Sequence, residues 1–391
     1  MKICAVICEF NPFHNGHEYI LRQARQVTDA DCILALMSGN FVQRGFPAVI
    51  DAYERAKCAL SNGADIVLEL PSVYSVASAD KFAVGAVNIL RSLPVTHLSM
   101  GVESDGEDIS VAAKIRHDES HEFTDVLKSK LKAEGYAKAL TAATAYEAAR
   151  LGKDENVFTE MLSKPNNILA VAYKKALLDF DSDIKFVPIP RIGGEIKSEL
   201  SGKYSSASAI RNNLGKNDIE TTMPKQSYDI LMSALADNPV DSKVYSAIML
   251  YALKNASTDD IANTPDCAEG FEHKIKELAT RAASYDELLS GLPTSRFTRG
   301  RIMRICVQTL LGITKKMQNS GYAYSRLLGI KRNALKLLGS FPDSVITNKQ
   351  SESAIAPGMS DIFEIDKRAW DVYSVINGSR NKFYGKLTIV D

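Results

Sequence analysis

Cys8-Glu9-Phe10-Asn11-Pro12-Phe13-His14-Asn15-Gly16-His17 links an apolar run, Ile3 to Cys8, to a segment carrying Ile20, Leu21 and Ala24 on one helical face. The apolar run reads as a buried strand and the following pattern as an amphipathic helix. Two histidines flanking Asn-Gly therefore stand where a strand hands over to a helix N-terminus. Unsatisfied backbone N–H groups and the positive end of the helix dipole gather there, which suits a phosphate. His14 and His17 add ring N–H donors for the same phosphate.

Working outward, Cys32 to Met37 is a second buried strand. It ends in Ser38-Gly39-Asn40-Phe41-Val42-Gln43-Arg44-Gly45. Asp51 to Leu60 is helical, and Asp65-Ile66-Val67-Leu68-Glu69-Leu70 is a third strand stopped by Pro71. Lys81 to Leu90 is helical, and His97-Leu98-Ser99-Met100-Gly101 is a fourth strand. Short apolar strands alternating with helices mean βαβ units and a parallel sheet. The fold class is α/β, a Rossmann-like doubly wound sheet, whose ligands bind beyond the carboxyl ends of the strands at the topological switch point. The histidine turn, the Ser38–Gly45 loop and Gly101 would share one rim.

Residues 107–162 are expected to be a helical insertion. Lys164-Pro165-Asn166-Asn167-Ile168-Leu169 starts a further helix, with Pro165 in its first turn. Ile184 to Pro188 is a fifth strand, leading into Ile189-Pro190-Arg191-Ile192-Gly193-Gly194. Next comes Tyr204-Ser205-Ser206-Ala207-Ser208-Ala209-Ile210-Arg211, a hydroxyl-rich helix start with an arginine one turn in. Hydroxyls, backbone N–H groups and a fixed charge there suit the β- and γ-phosphates of a nucleotide. From about residue 225 the pattern becomes helical: Gln226–Leu235, Ser242–Lys254, Gly270–Ser284, Thr298–Leu311 and Tyr322–Leu338. Two units are expected, a catalytic domain at 1–215 and a mainly helical region at 225–391.

Composition is that of a globular protein, 45% hydrophobic and 24% charged with a formal net charge of zero. None of the six cysteines forms a C-x-x-C pair, so reduced, largely buried thiols are expected. No apolar run approaches the roughly 18 residues of a membrane span, and no leader is evident. A cytoplasmic protein without a membrane partner is expected. The neutral balance hides one uneven stretch. Leu288 to Pro342 contains no Asp or Glu in 55 residues and ten basic residues: Arg296, Arg299, Arg301, Arg304, Lys315, Lys316, Arg326, Lys331, Arg332 and Lys336. With Phe297, Tyr322 and Tyr324 interleaved, this reads as a basic surface for an RNA backbone and unpaired bases. A solvated charged face is the bland alternative.

His14–His17 matches the H-x-G-H motif of the nucleotidyltransferase superfamily that also contains class I aminoacyl-tRNA synthetases. Ser206–Arg211 resembles its second motif, S-S-T-x-I-R, with Ala207 in place of the second serine and Ser208 in place of the threonine. One hydroxyl donor is thus missing. The longer strings Glu9 to His17, Met37 to Gly45, Glu69-Leu70-Pro71, Lys164 to Leu169 and Tyr324 to Gly329 resemble the bacterial tRNA(Met) cytidine acetate ligases.

That resemblance implies activation of acetate by ATP as acetyl-adenylate. The acetyl group then passes to N4 of the wobble cytidine of elongator tRNA(Met). It implies ATP along Ile7, Cys8, Glu9, Phe10, Asn11, Pro12, Phe13, His14, Asn15, Gly16, His17, Glu18, Tyr19 and Ile20, with Gly101, Asn166, Arg191 and Ile192. His14, His17, Ser208 and Arg211 are the expected catalytic residues, with Ser206 beside them on the phosphates. Mg²⁺ would bind through those phosphates, and no protein metal site is expected. Asn40, Gln43 and Arg44 are candidates for an acetate or substrate loop. Two rivals stay open: a small-molecule adenylyltransferase of coenzyme biosynthesis, and an RNA-binding protein with a vestigial nucleotide site.

Two features are expected to be structural. His117 and His121 have the spacing of a zinc helix but no evident third ligand. Trp370 lies at helical spacing with Ile362, Ile365, Tyr373 and Ile376, the pattern of a core face.

Overall fold

Among the described residues the ten strands are β1 (Ile3–Cys8), β2 (Cys32–Ser38), β3 (Phe41–Val42), β4 (Phe46–Pro47), β5 (Ile66–Leu70), β6 (His97–Val102), β7 (Lys185–Pro190), β8 (Ser325–Lys331), β9 (Val345–Ile346) and β10 (Thr388–Val390). The computed structural model describes all residues except 194–198, 216–218, 295, 322–323, 348–358 and 386. Gly194 and Tyr322 thus lie outside the described residues. Eight strands make one sheet in the order β10-β8-β5-β2-β1-β6-β7, with β9 on β8. The run β5-β2-β1-β6-β7 is parallel throughout.

All seven residues of β2 and all five of β5 are buried. Strands covered on both faces need apolar side chains at nearly every position, which is why these runs do not alternate. The chain leaves β1 outward to β2 and β5, then returns to the other side of β1 for β6 and β7. Right-handed crossovers put the two sets of connecting helices on opposite faces. The switch point falls between β1 and β6, so the turn after β1 opens into a crevice there.

Between β6 and β7 come helices Gly106–Asp118, His121–Glu134, Tyr136–Arg150 and Glu155–Met161. They pack around Ile109, Phe123 and Phe158 in a second core shared with Val102 of β6 and with Ala170 and Val171. His117 and His121 belong to different helices and pair with Asp179 and Asp125. Trp370 is buried on helix Ser360–Ile376.

The second half is mostly helical, but Tyr322–Leu338 differs from its expected helix. Residues 325–331 form β8, antiparallel to β5, and Arg332–Ser340 is a 3-10 helix. The sheet is thereby completed from the far end of the chain. Arg326 follows β8 into the interior, where its guanidinium bonds Glu69 of β5 and the Phe383 carbonyl.

Candidate active site

The turn after β1 is held from below. Arg55, fully buried in helix Ala52–Ser61, donates to the carbonyls of Glu9 (2.6 Å), Ser38 (3.0 Å), Gly39 and Ile50 (3.1 Å). One side chain thereby ties the end of β1 to the end of β2. Phe10 has φ +47°, and the Asn11–Pro12 peptide is cis. Phe10 and Phe13 pack edge-on at 4.9 Å, and both lie against the His17 ring.

His14 is the N-cap of helix Asn15–Thr28, and its Nδ1 accepts the Gly16 N–H at 3.0 Å. His17 reaches back, its Nδ1 accepting the His14 N–H at 3.3 Å. This is a capping box built from two imidazoles. Because both Nδ1 atoms accept, each neutral ring carries its proton on Nε2. Burial, with the charges of Arg191 and Arg211, lowers the His14 pKa to about 3. Burial, then His14 and Arg191, lowers that of His17 well below the usual range. Both are neutral donors at physiological pH.

These rings open on a cleft of about 740 Å³. Its walls include Ile7, Cys8, Glu9, Phe10, Asn11, His14, His17, Ile20, Gln43, Arg44, Gly101, Asn166, Arg191, Ser206, Ser208 and Arg211. The fold thus gathers the first turn, the Ser38–Gly45 loop, the end of β6 and the helix start at Ser206 around one space. A Cβ at Gly101 would crowd Arg191 Cγ and Ile20 Cδ1, each at 3.0 Å. Asn166 donates to Glu103 Oε1 at 2.6 Å. Arg211 donates to the Asn11 carbonyl (2.6 Å) and Ser208 Oγ (2.9 Å), so the two motifs touch directly. Ser206 caps its helix through the Ala209 N–H.

Two buried donors at this cleft, Asn11 Nδ2 and Arg191 Nε, have no hydrogen-bond partner. Arg191 Nε lies 3.4 Å from Glu103 Oε1, outside hydrogen-bond geometry. A buried unsatisfied donor costs about 1–3 kcal/mol, a cost an anionic ligand can remove. Arg44, Arg191, Arg211, Arg299 and Arg304 also line the space, Arg191 beside Glu103 and Arg304 paired with Asp266, while Glu9 is the one carboxylate of the lining among the described residues. The field suits a polyphosphate.

Several expected site residues do not face the cleft. Pro12 and Phe13 are buried beneath the turn. Asn15 is buried and donates to the carbonyls of Lys203 and Thr221, both at 2.9 Å, locking the first helix to the later segment. Gly16, Glu18 and Tyr19 lie on the helix beyond the lining, and Ile192 is exposed outside it. Asn40 is only 1% exposed and accepts the Ala52 N–H at 2.9 Å, so it braces the loop. Gln43 and Arg44 do reach the cleft, although Gln43 Nε2 is taken by the Ala77 carbonyl.

The basic segment is not one face. Arg326 is buried, as are Phe297 and Tyr324. Lys331 pairs with Asp65, Arg332 with Asp391, and Arg296 with Glu269. Arg304 forks onto Asp266 at 2.9 Å through two nitrogens, Arg301 donates to the Asp266 carbonyl, and Lys315 to that of Ala262. The fold supplies the missing acids from elsewhere in the sequence. Lys316 and Lys336 are exposed. Arg299 and Arg304 line the cleft itself, on helix Arg299–Leu311, which packs over the β3–β4 hairpin.

Sequence reading missed Arg55, whose place among Ala52, Ala56 and Ala59 on a buried helix face was the available sign. It also missed Phe82, Leu169 and Tyr173, which give the cleft an apolar wall and carry no motif.

The model of the HIGH nucleotidyl transferases matches residues 1–386. The tRNA(Met) cytidine acetate ligases of Clostridium kluyveri and Clostridium acetobutylicum are each 35% identical to this chain. The alignments cover 96% of this chain and 95% of the first relative, and 100% of both for the second. The chain belongs to the tRNA(Met) cytidine acetate ligase family of HIGH nucleotidyl transferases. Its fold matches two crystal structures of Thermotoga maritima TmcAL over 100% of both chains. One is the apo form (TM-score 0.92, 30% identical) and the other is bound with alpha-thio ATP (TM-score 0.91, 29% identical). This family membership makes the Rossmann-like sheet a nucleotide-binding one. Among the described residues no helix is long and apolar enough to cross a membrane.

Proposed function

We propose that this protein is an ATP-dependent acetate–tRNA ligase. It activates acetate as acetyl-adenylate and acetylates N4 of the wobble cytidine of elongator tRNA(Met). The observation that carries this reading is the pair of neutral Nε2–H histidines at the switch point, in a cleft with five arginines. The relatives' name supplies the two acceptor substrates, and the alpha-thio ATP of the Thermotoga structure supports the nucleotide.

In the first step an acetate oxygen attacks the α-phosphorus in line and pyrophosphate leaves. His14 and His17 donate to the α-phosphate oxygens, where charge accumulates, and as neutral donors they need no proton bookkeeping. Ser206, Ser208 and Arg211 hold the leaving pyrophosphate, with Arg211 already anchored on Asn11. Mg²⁺ would be held through the nucleotide's phosphates and would supply neutralising charge there. The cleft's one carboxylate, Glu9, is engaged by the Gln43 N–H and offers no ligand set of its own. Arg44 at the exposed hairpin turn is the candidate contact for acetate, with Gln43 beside it. The flipped cytidine enters the same cleft, which is easier from an anticodon loop than from a duplex. Arg299, exposed at the cleft, favours an RNA acceptor over a small coenzyme precursor.

Incubation with labelled acetate, ATP and Mg²⁺, with and without unmodified tRNA(Met), tests the proposal. Acetyl-adenylate is expected without tRNA and N4-acetylcytidine with it. Label that reaches no tRNA under any condition overturns it.

A further inference from the structure

Transfer of the acetyl group requires that the cytidine amine lose a proton, and the cleft has few groups able to take one. His14 and His17 are unavailable, because each Nδ1 already accepts a backbone N–H and each Nε2 holds a proton. The five arginines are donors only. Burial raises the Cys8 thiol and the Tyr173 phenol well above their ordinary values, so both stay protonated. Gln43 and Asn166 are amides, and Ser206 and Ser208 are hydroxyls.

One group remains. We propose that the Glu9 carboxylate accepts the proton from N4 of the target cytidine during acetyl transfer, and so recognises the base by its amine. Glu9 is the one carboxylate lining the cleft among the described residues. Its Oε1 is fixed by the Gln43 N–H at 2.9 Å, and its own carbonyl by Arg55 at 2.6 Å. It stands at the end of β1, beside the apolar wall of Phe82 and Tyr173. A lone carboxylate among arginines repels phosphate and matches an amine, the donor that cytosine presents and uracil lacks. Cys8, Arg55, Tyr173 and Arg211 are the titratable or charged groups that feel its charge.

The step balances as follows. The N4 lone pair forms a bond to the acetyl carbonyl carbon, and the bond from that carbon to the adenylate phosphate oxygen breaks. The N4 proton passes to the second oxygen of Glu9, AMP leaves with the bonding pair, and Glu9 later gives its proton to water.

The inference rests on the proposed ligase reaction, and its test separates the two. Acetyl-adenylate formation and acetyl transfer to tRNA(Met) are measured separately in the wild type, Glu9→Gln and Glu9→Asp, each across a Mg²⁺ titration. In Glu9→Gln the maximal transfer rate is expected to fall about 100-fold more than adenylate formation, with partial recovery in Glu9→Asp. A wild type that makes no acetyl-adenylate overturns the ligase reading itself. Four outcomes overturn the role of Glu9 alone: no effect on either half-reaction, in which case the adenylate phosphate takes the proton; equal loss in both; a rise in the tRNA KM at unchanged maximal rate; or a higher Mg²⁺ requirement.

Discussion

The imidazoles of His14 and His17 stack with centroids 3.6 Å apart and 26° between their planes. Each ring closes the capping box with one nitrogen and keeps the other as a donor. His14 therefore has two separable jobs, and two substitutions pull them apart. Asparagine is a strong N-cap, so His14→Asn should keep stability within about 0.5 kcal/mol while removing the Nε2–H donor. Loss of one such donor should slow adenylate formation about 100-fold or more. His14→Ala should lose the same activity and in addition about 1 kcal/mol of stability. Denaturant midpoints and acetate-dependent ATP consumption check this. Equal stability of the two variants would remove the capping role.

The same geometry sets a pH dependence. A histidine that must be charged to hold phosphate would work better as pH falls through its ordinary value of 6.5. His14 stays neutral down to about 3 in the free protein. Adenylate formation at low ATP should therefore not rise between pH 7.5 and pH 6. The stability sign follows from a folded pKa below the unfolded one. The contribution of the neutral ring is present above about 6.5 and is lost as pH falls toward 3. A thermal melt series from pH 7.5 to pH 4 should show falling stability, less steeply in His14→Asn.

The catalytic half was legible because its signals are local. Strands buried on both faces leave unbroken apolar runs such as Cys32–Met37, and the histidine turn gained its meaning from the Ser206–Arg211 motif after the last strand of the same α/β unit. Asn15 and Asn40 read as ligand contacts because amide side chains suit a nucleotide, yet in the fold both side chains bond backbone. Those partners, the Thr221 carbonyl and the Ala52 N–H, are supplied only by the fold. The second half failed where a charge's partner is remote. Leu327, Leu328, Ile330, Leu335 and Leu338 also fit a helical face, and Glu69 lies 257 positions before Arg326.

Arg55 makes a prediction about loops rather than chemistry. It satisfies carbonyls of Glu9, Ser38, Gly39 and Ile50 in a place closed to water. Lysine carries a point charge in place of a planar fork, so Arg55→Lys cannot serve all four. Each orphaned carbonyl costs about 1–3 kcal/mol, and the expected loss is roughly 2–4 kcal/mol after relaxation. Because the Glu9 and Gly39 backbones loosen together, the ATP KM should rise as well. A variant with a normal midpoint and a normal KM would contradict this.

Gly45 tests the contact between the hairpin and the helix over it. Its φ is +78°, and a Cβ would come within 2.5 Å of the Arg304 backbone nitrogen. Backbone cannot step aside as a flexible side chain can. Gly45→Ala should therefore push the helix off the hairpin, widening the cleft where Arg299 and Arg304 enter. Both the ATP and tRNA constants should weaken about tenfold or more. A smaller effect on tRNA than on ATP would place the RNA contact elsewhere.

Arg299 and Arg326 come from the same acid-free stretch and should behave oppositely. Arg326 is buried against Glu69, with Asp366 nearby on the same network. Removing it leaves the buried Glu69 carboxylate without its cation, so Arg326→Ala should cost about 3–5 kcal/mol. Burial, then Glu69, raises the Asp366 pKa to about 6, above its ordinary 3.8. The stability tied to its neutral form is full below 3.8 and lost as pH rises through about 6, so the defect should deepen from pH 4 to pH 7. Arg299 is exposed at the cleft, and Arg299→Ala should leave stability within about 0.5 kcal/mol. It should instead lower the salt slope of tRNA binding by about 0.7, the share of one phosphate contact on a single strand. Folded Arg326→Ala protein should keep the wild-type slope. If its slope drops and that of Arg299→Ala does not, the buried arginine is the one that meets RNA, and the assignment of the two is reversed.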